Sequence, residues 1–266
     1  MSKFNYKKIF SLENKKVIII GGLGLIGKEI SKALVDLGAE IVIADLIKKS
    51  TKKNPKYKYI NLDCSKLKKA EQLLKKYIGN HYGASILINC SYPRTKDWYQ
   101  NTYKEIKLSS YESNISIHLN SYVWLSRVFA EELRKLNKGG RILNFSSIYG
   151  LVGQDLSIYK KTRMKDNLTY SVIKGGIVNF TRQMASCYGK YNILTNCICP
   201  GGVLGPVQGL SSKQDKNFLK NYSSKVPIQR LANSTEIASV AAFMCSDAAS
   251  YINGTSIVVD GGWSSI

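Results

Sequence analysis

Tyr170 and Lys174 stand four residues apart in a stretch of helical periodicity, so both side chains fall on one face. A free tyrosine titrates near ~10, and a neighbouring ammonium favours its phenolate. A phenol tuned in this way can pass a proton to or from a carbonyl–alcohol pair while a nicotinamide moves a hydride. Ser147, just past a predicted strand ending near Ser146, adds a hydroxyl able to orient the reacting oxygen. The pair alone carries little weight. The chain has 17 tyrosines and 39 basic residues, of which only 7 are arginine, so Tyr-x-x-x-Lys arises easily by chance.

A second chemical run is Gly21-Gly22-Leu23-Gly24-Leu25-Ile26-Gly27. It follows the apolar run Val17-Ile18-Ile19-Ile20 and opens a helical pattern through Ile30, Ala33, Leu34 and Leu37. Glycines 21, 24 and 27 permit a tight turn and close backbone approach to a pyrophosphate, which the helix N-terminus then favours. The strand–turn–helix setting separates this run from an ordinary glycine-rich turn. Asp45 ends the next strand, 18 residues after Gly27. A carboxylate there can hold the hydroxyls of an adenosine ribose and repel a 2′-phosphate, which favours NAD over NADP. Its plainer role is to cap the following loop, and Lys48, Lys49, Lys52 and Lys53 could shield a 2′-phosphate.

The elements that must position these groups alternate along the chain. Strands are predicted at 17–20, 41–44, 57–62, 85–89, 141–146, 194–198 and 256–259. Helices are predicted at 27–37, 66–78, 111–136, 170–188 and 234–246. This alternation specifies an α/β chain: a single-domain, Rossmann-type, doubly wound parallel sheet with helices on both faces. One domain spans 1–266, its core starting at about residue 15. Two stretches stand outside the alternation, 151–169 and 202–230, as loops over an active site would.

Composition bounds the rest. The 266 residues are 44% hydrophobic and 21% charged, enough to bury a core. The net charge of +21 points at nucleic acid, a membrane surface or an acidic ligand. Its dominance by lysine favours compositional drift instead, because phosphate readers prefer the fork of arginine. No apolar run reaches the roughly 18–20 residues of a membrane helix. Residues 1–10 are polar and basic, unlike a signal peptide. Six cysteines without a CxxC pair read as reduced thiols of a cytoplasmic protein. Two histidines, His81 and His118, argue against a catalytic metal site.

In this order the motifs resemble the short-chain dehydrogenase/reductase family over nearly the whole chain. Gly21–Gly27 is similar to its cofactor loop, with Ile20 where a threonine is usual. Asp63, in Leu62-Asp63-Cys64, matches the aspartate that meets the adenine amine. Asn89-Cys90-Ser91-Tyr92 stands where the family carries Asn-Asn-Ala-Gly, keeping only Asn89. Ser147, Tyr170 and Lys174 match the catalytic trio, Pro200-Gly201-Gly202-Val203 the turn against the nicotinamide, and Val259-Asp260-Gly261-Gly262 the closing strand. The resemblance implies cofactor contacts at Gly21, Gly24, Leu25, Ile26, Gly27, Asp45, Asp63, Cys64, Asn89, Ser91, Tyr170, Lys174, Pro200, Gly201 and Val203. It also implies a homodimer or homotetramer, through the helices 111–136 and 170–188 and the last strand.

Three departures stand out. His118 falls where the family's catalytic asparagine holds a water in a proton relay through the lysine, with Asn114 and Asn120 as nearby alternatives and helix packing as its plain role. The interval from Ser147 to Tyr170 is longer than usual, and within it Tyr159 is followed four residues on by Arg163, not lysine. Tyr92-Pro93-Arg94-Thr95-Lys96-Asp97-Trp98 replaces small residues. The last two features, with Ser147-Ile148-Tyr149-Gly150, resemble a subgroup tied to bacterial surface-sugar and flagellin-modification gene sets, some linked to nonulosonic acid synthesis.

The implied substrate sits beside Tyr170. Arg94 and Lys96, with Lys160, Lys161, Arg163 and Lys165, should bracket it and suit a phosphate or nucleotide diphosphate, unless they form only a solvated rim. Arg94, Tyr149 and Arg163 are the expected substrate contacts, and Trp98, Tyr99 and Tyr103 could stack on a sugar or base. The expected reaction interconverts a secondary alcohol and a ketone on a phosphorylated or nucleotide-linked sugar. The alternative is a 3-oxoacyl-[acyl-carrier-protein] reductase whose acyl channel would use Val203, Leu204, Val207, Leu210, Phe218 and Leu219. A non-catalytic nucleotide-sensing or nucleic-acid-binding module is the rival from another class. Intact Ser147, Tyr170 and Lys174, and the lack of any nucleic-acid motif, weigh against it.

Overall fold

Val17, Ile18, Ile19 and Ile20 point to alternate faces of a strand, yet all four are buried. Val17 and Ile19 enter one core, with Ile41, Ile43, Ile86, Ile88 and Leu143, while Ile18 and Ile20 enter another, with Val42, Ala44, Leu87 and Ile142. A strand covered on both faces has no use for polar alternation, which is why its sequence is continuously apolar. Each such side chain contributes about 1.5–3 kcal/mol relative to exposure.

The computed structural model describes residues 5–46, 57–79, 82–206 and 214–266. After a short helix α1 (Tyr6–Ile9) come β1 (Lys16–Ile20), α2 (Leu25–Asp36), β2 (Glu40–Asp45), β3 (Tyr57–Asn61), α3 (Leu67–Ile78) and β4 (Ile86–Asn89). Then follow α4 (Leu108–Asn114), α5 (Asn120–Lys135), β5 (Gly140–Phe145), α6 (Leu168–Tyr188), β6 (Ile193–Pro200), α7 (Lys216–Ser223), α8 (Ser234–Cys245) and β7 (Ser256–Val259). The strands form one seven-stranded sheet, all pairs parallel, in the order β3-β2-β1-β4-β5-β6-β7. α2 and α8 cover one face, α3 and α5 the other. The order reverses between β1 and β4, which opens the crevice at the carboxyl ends of the strands where such sheets bind ligands. The fold is Rossmann-like, as the alternation predicts.

Three details depart from the predicted elements. The helix expected at 111–136 begins earlier, at Leu108, and a π-helical turn, Ile115–Leu119, joins α4 to α5. Such one-turn widenings concentrate at functional sites. The stretch 151–169 is not featureless: Asp155 caps a 3₁₀ turn, Leu156–Tyr159, by accepting from the Ser157 amide at 2.8 Å. Within 202–230, α7 starts where the Asp215 carboxylate accepts from Asn217 and Phe218 amides. Lys48, Lys49, Lys52, Lys53, His81, Val207 and Leu210 lie outside the described residues. Among those described, no helix is long and apolar enough to cross a membrane.

Candidate active site

The crevice begins at Gly21, which turns the chain off β1 with φ +81°. A side chain there would strike the Ser91 backbone at 2.7 Å, and one at Gly27 would collide with the Gly21 carbonyl. Glycine at both positions lets α2 start hard against the strand ends. Its N-cap, Gly24, has no side chain to satisfy the first amides of the helix. These amides and the positive end of the helix open on a cavity of about 290 Å³ lined by Gly24, Leu25, Ile26 and Gly27. That donor set fits the pyrophosphate of a dinucleotide.

A neighbouring cavity of about 370 Å³ is lined by Gly21, Asp45, Asp63, Cys64 and Ser91. Asp45 braces the glycine loop: Oδ2 accepts from the Leu23 amide at 2.8 Å and Oδ1 from the Leu46 amide at 2.7 Å. Each oxygen keeps a second lone pair for a further donor. Asp63 accepts from the amide and hydroxyl of Ser65. Asn89 is fully buried behind the cleft and does not line it; its Oδ1 holds the Ser91 amide and hydroxyl.

Ser147 follows β5 and caps a 3₁₀ turn, its Oγ accepting from the Tyr149 amide at 3.2 Å. α6 starts under Asn167, whose Oδ1 accepts from the Tyr170 amide at 2.8 Å. Tyr170 thus sits in the first turn and Lys174 one turn further on. Ser147, Tyr170, Lys174, Pro200, Gly201 and Val203 share the cavity that α2 opens on. Lys174 Nζ donates to the Phe145 carbonyl at 2.9 Å and lies 5.9, 5.4 and 5.6 Å from the ring centres of Tyr92, Tyr122 and Tyr170. Burial pushes its pKa down to about 8.

The acidifying effect of Lys174 expected on Tyr170 is not what dominates. Burial pushes the Tyr170 phenol above its usual pKa, opposed by a hydrogen bond with Ser147. Desolvation acts on both partners, disfavouring the phenolate and the ammonium alike.

His118 lies in the π-helical turn, fully buried, and neither ring nitrogen has a hydrogen-bond partner. Its ring packs among Tyr92, Trp98 and Tyr122 at centroid distances of 5.2, 6.4 and 5.7 Å. Burial first, then the charges of Lys174 and Arg94, hold its pKa well below the usual range, so the imidazole is neutral. Of the alternatives, Asn120 is exposed. Asn114 is buried, accepting from the Thr95 amide at 3.0 Å and donating to Thr95 Oγ1 at 2.8 Å, and so pins the segment that carries Tyr92 and Arg94.

Beyond Tyr170 a further cavity of about 590 Å³ is walled by Tyr92, Arg94, Trp98, Tyr99, Tyr149, Tyr159 and Arg163. Its basic character is weaker than the sequence suggests. Lys165 lines it but is paired with Glu105 at 2.7 Å, and Arg163 donates its amide to Asp215, whose carboxyl its charge helps to acidify. Lys160, Lys161 and Tyr103 do not line it. Tyr159 does, with its ring stacked 6.3 Å from Phe218. Tyr122, Cys90, Gly205 and Gln214 also face the central cavity. No spacing rule in the sequence points to them, since they come from separate elements. Phe218, with Tyr222, Val226 and Trp263, is buried in a satellite core and does not form an acyl channel.

Residues 24–264 match the family model described as enoyl-(acyl carrier protein) reductase, and the chain belongs to this short-chain dehydrogenase/reductase family. It is an oxidoreductase of the kind that uses NAD(P) and acts on alcohols. Post-translational flagellin modification protein A of Campylobacter coli is 27% identical over 261 residues, covering 95% of this chain and 99% of that one. D-arabinitol 2-dehydrogenase [ribulose-forming] of Candida tropicalis is 27% identical over 278 residues, covering 96% and 94%. The crystal structure of a short chain dehydrogenase from Leptospira borgpetersenii serovar Hardjo-bovis with bound NAD+ superposes with a TM-score of 0.84 at 26% identity, covering 99% and 97%.

Proposed function

We propose that the chain is one cofactor-binding domain that interconverts a secondary alcohol and a ketone on a phosphorylated or nucleotide-linked sugar, with NAD as its cofactor. One observation carries this reading: Tyr170 lies at the seam between the cleft opened by the glycine loop and a separate cavity of aromatic rings and Arg94. Bound in the cleft, the nicotinamide dinucleotide would supply or accept the hydride. Gly24 to Gly27 would hold its pyrophosphate and Asp45 its ribose, where the carboxylate disfavours a 2′-phosphate.

In this reading Tyr170 is the general acid and base. Ser147 orients the reacting oxygen from a hydroxyl already aligned by the Tyr149 amide. Lys174, held by the Phe145 carbonyl and three aromatic faces, supplies the adjacent positive charge that favours transient phenolate. His118, kept neutral in its ring of aromatics, fixes the side of this site next to Tyr92. Arg94 faces the anionic group of the substrate, and Trp98 and Tyr99 its sugar ring. The names of the relatives, one acting on an arabinitol and one serving flagellin modification, support a sugar substrate. Of the residues expected to form the channel of the thioester alternative, Phe218 is buried in the satellite core instead.

Turnover of phosphorylated and nucleotide-linked sugars, measured beside 3-oxoacyl thioesters with both NAD(H) and NADP(H), tests the reading. A sugar should be preferred, with NAD(H). Unchanged sugar turnover in an Arg94→Ala, Arg163→Ala double variant would defeat the anionic part of it.

A further inference from the structure

Inside the outer cavity the polar groups of the wall are mostly committed. Gln154 Nε2 donates to the Asn167 carbonyl at 2.8 Å and to Ser171 Oγ at 2.9 Å, and Asn167 Nδ2 donates to the Trp98 carbonyl at 2.9 Å. Tyr149 is the exception. Its hydroxyl is buried and makes no hydrogen bond of good geometry, the Tyr159 hydroxyl being its polar neighbour, and among the described residues it is the one such side-chain group on this wall. A buried hydroxyl without a partner is costly, and native proteins keep few of them.

Its place gives the orphan a meaning. The Tyr149 amide is bonded to Ser147 Oγ, and its ring meets that of Tyr170 edge-on at 6.4 Å. The hydroxyl is therefore held in the same cavity as Tyr170, a short distance from where a reacting oxygen would sit. Tyr159 supports it from the inserted segment. Its ring stacks on Phe218, and Asn217 Nδ2 and Asn221 Nδ2 of α7 donate to the carbonyls of Lys161, Ile158 and Lys160 at 2.7, 3.1 and 2.9 Å. The insertion is thus tied to α7 along its length, which makes Tyr159 part of a built wall and not of a loose loop.

We infer that Tyr149, assisted by Tyr159, binds a substrate oxygen next to the reacting carbon, so that the enzyme takes hydroxylated chains and rejects their deoxy analogues. The inference rests on the reading of this cavity as the substrate site beside Tyr170. It adds the substrate feature that is recognised: a hydroxyl neighbouring the carbonyl. A site built to hydrogen-bond a substrate hydroxyl discriminates strongly against the analogue that leaves its donor unpaired.

Two pairs of ketones test this, one anionic and one neutral: dihydroxyacetone phosphate with hydroxyacetone phosphate, which lacks its free hydroxyl, and 2-hydroxycyclohexanone with cyclohexanone. kcat/KM is measured with reduced cofactor, and Kd by calorimetry with the oxidised cofactor bound, which cannot reduce the ketone. The wild-type protein should prefer the hydroxylated member of each pair by about 10- to 100-fold. In Tyr149→Phe the ratio should fall toward one, and in Tyr159→Phe part of the way. A preference kept in the neutral pair without any gain from phosphate would sink the anionic reading and leave this one standing. Equal treatment of both members by the wild-type protein, a ratio unmoved by Tyr149→Phe, or no binding of any of the four ketones overturns it. The wild-type comparison stands even if the Tyr149→Phe protein does not fold.

Discussion

The two halves of the site are built from different materials. The cofactor cleft begins on backbone: glycines 24 and 27, the first amides of α2, and the turn at Pro200 and Gly201, with Asp45 tied to main-chain amides. The outer cavity is walled by side chains, six of them aromatic rings, from the 92–99 segment, the turn after Ser147, the insertion and α6. Backbone can hold a ligand whose chemical identity stays the same while substrates vary, such as a dinucleotide. Side chains on inserted segments can be exchanged without disturbing the sheet, and that is where one fold varies its substrate.

The sharpest break in this comparison comes at Tyr170, which lines both halves. Tyr170→Phe should cut turnover by about 10²–10⁴-fold, while fluorescence titration shows the dinucleotide still binding. A fully active variant would refute the proposed acid–base role.

Lys174 is next in size. Its pKa falls from 10.5 to about 8 on burial. Below pH 8 the native protein carries a buried ammonium that the unfolded chain solvates freely. Between about 8 and 10.5 the unfolded chain retains a proton that the native state has released, so this group makes stability rise with pH across that window. A shift of 2.5 units corresponds to about 3 kcal/mol, less about 1 kcal/mol for the lost bond to Phe145. Lys174→Met should therefore be more stable than wild type at pH 7 by about 2 kcal/mol, with the difference shrinking toward pH 10.5. Denaturant melts at pH 7, 8.5 and 10 would show it, and a variant less stable at pH 7 would contradict it.

Two smaller changes should separate the halves. Gly27→Ala drives a methyl group into the Gly21 carbonyl and should cost about 1–3 kcal/mol, raising Kd for the dinucleotide while KM for substrate moves little. Asn114→Ala releases the Thr95 bonds and should cost a similar 1–3 kcal/mol, raising KM for substrate with the dinucleotide Kd nearly unmoved. Equal effects of either variant on both ligands would mean that the halves are not independently built.

The contrast also explains what was legible in the sequence. Gly21–Gly27, Asp45, Ser147, Tyr170 and Lys174 were readable because local rules govern them: a turn needs glycine, a helix face needs a four-residue step. The strands were readable because burial on both faces removes alternation. No local rule singles out Tyr159, since no lysine follows it at that step, and its place in the wall depends on a contact with Phe218 far along the chain. His118 falls within a helical pattern in the sequence, but the burial that keeps it neutral depends on rings at Tyr92, Trp98 and Tyr122. The loss of positive charge around Arg163 and Lys165 likewise needs Asp215 and Glu105, which no spacing associates with them.

One contact reaches from the cofactor turn to the chain end. The Tyr222 hydroxyl accepts from the Gly202 amide at 2.6 Å, and its ring stacks on Trp263 at 4.4 Å. The turn expected to meet the nicotinamide therefore leans on α7, and α7 leans on the fourth residue from the C-terminus. Loss of the Trp263 ring would therefore slacken the cleft from beneath, without touching the turn itself.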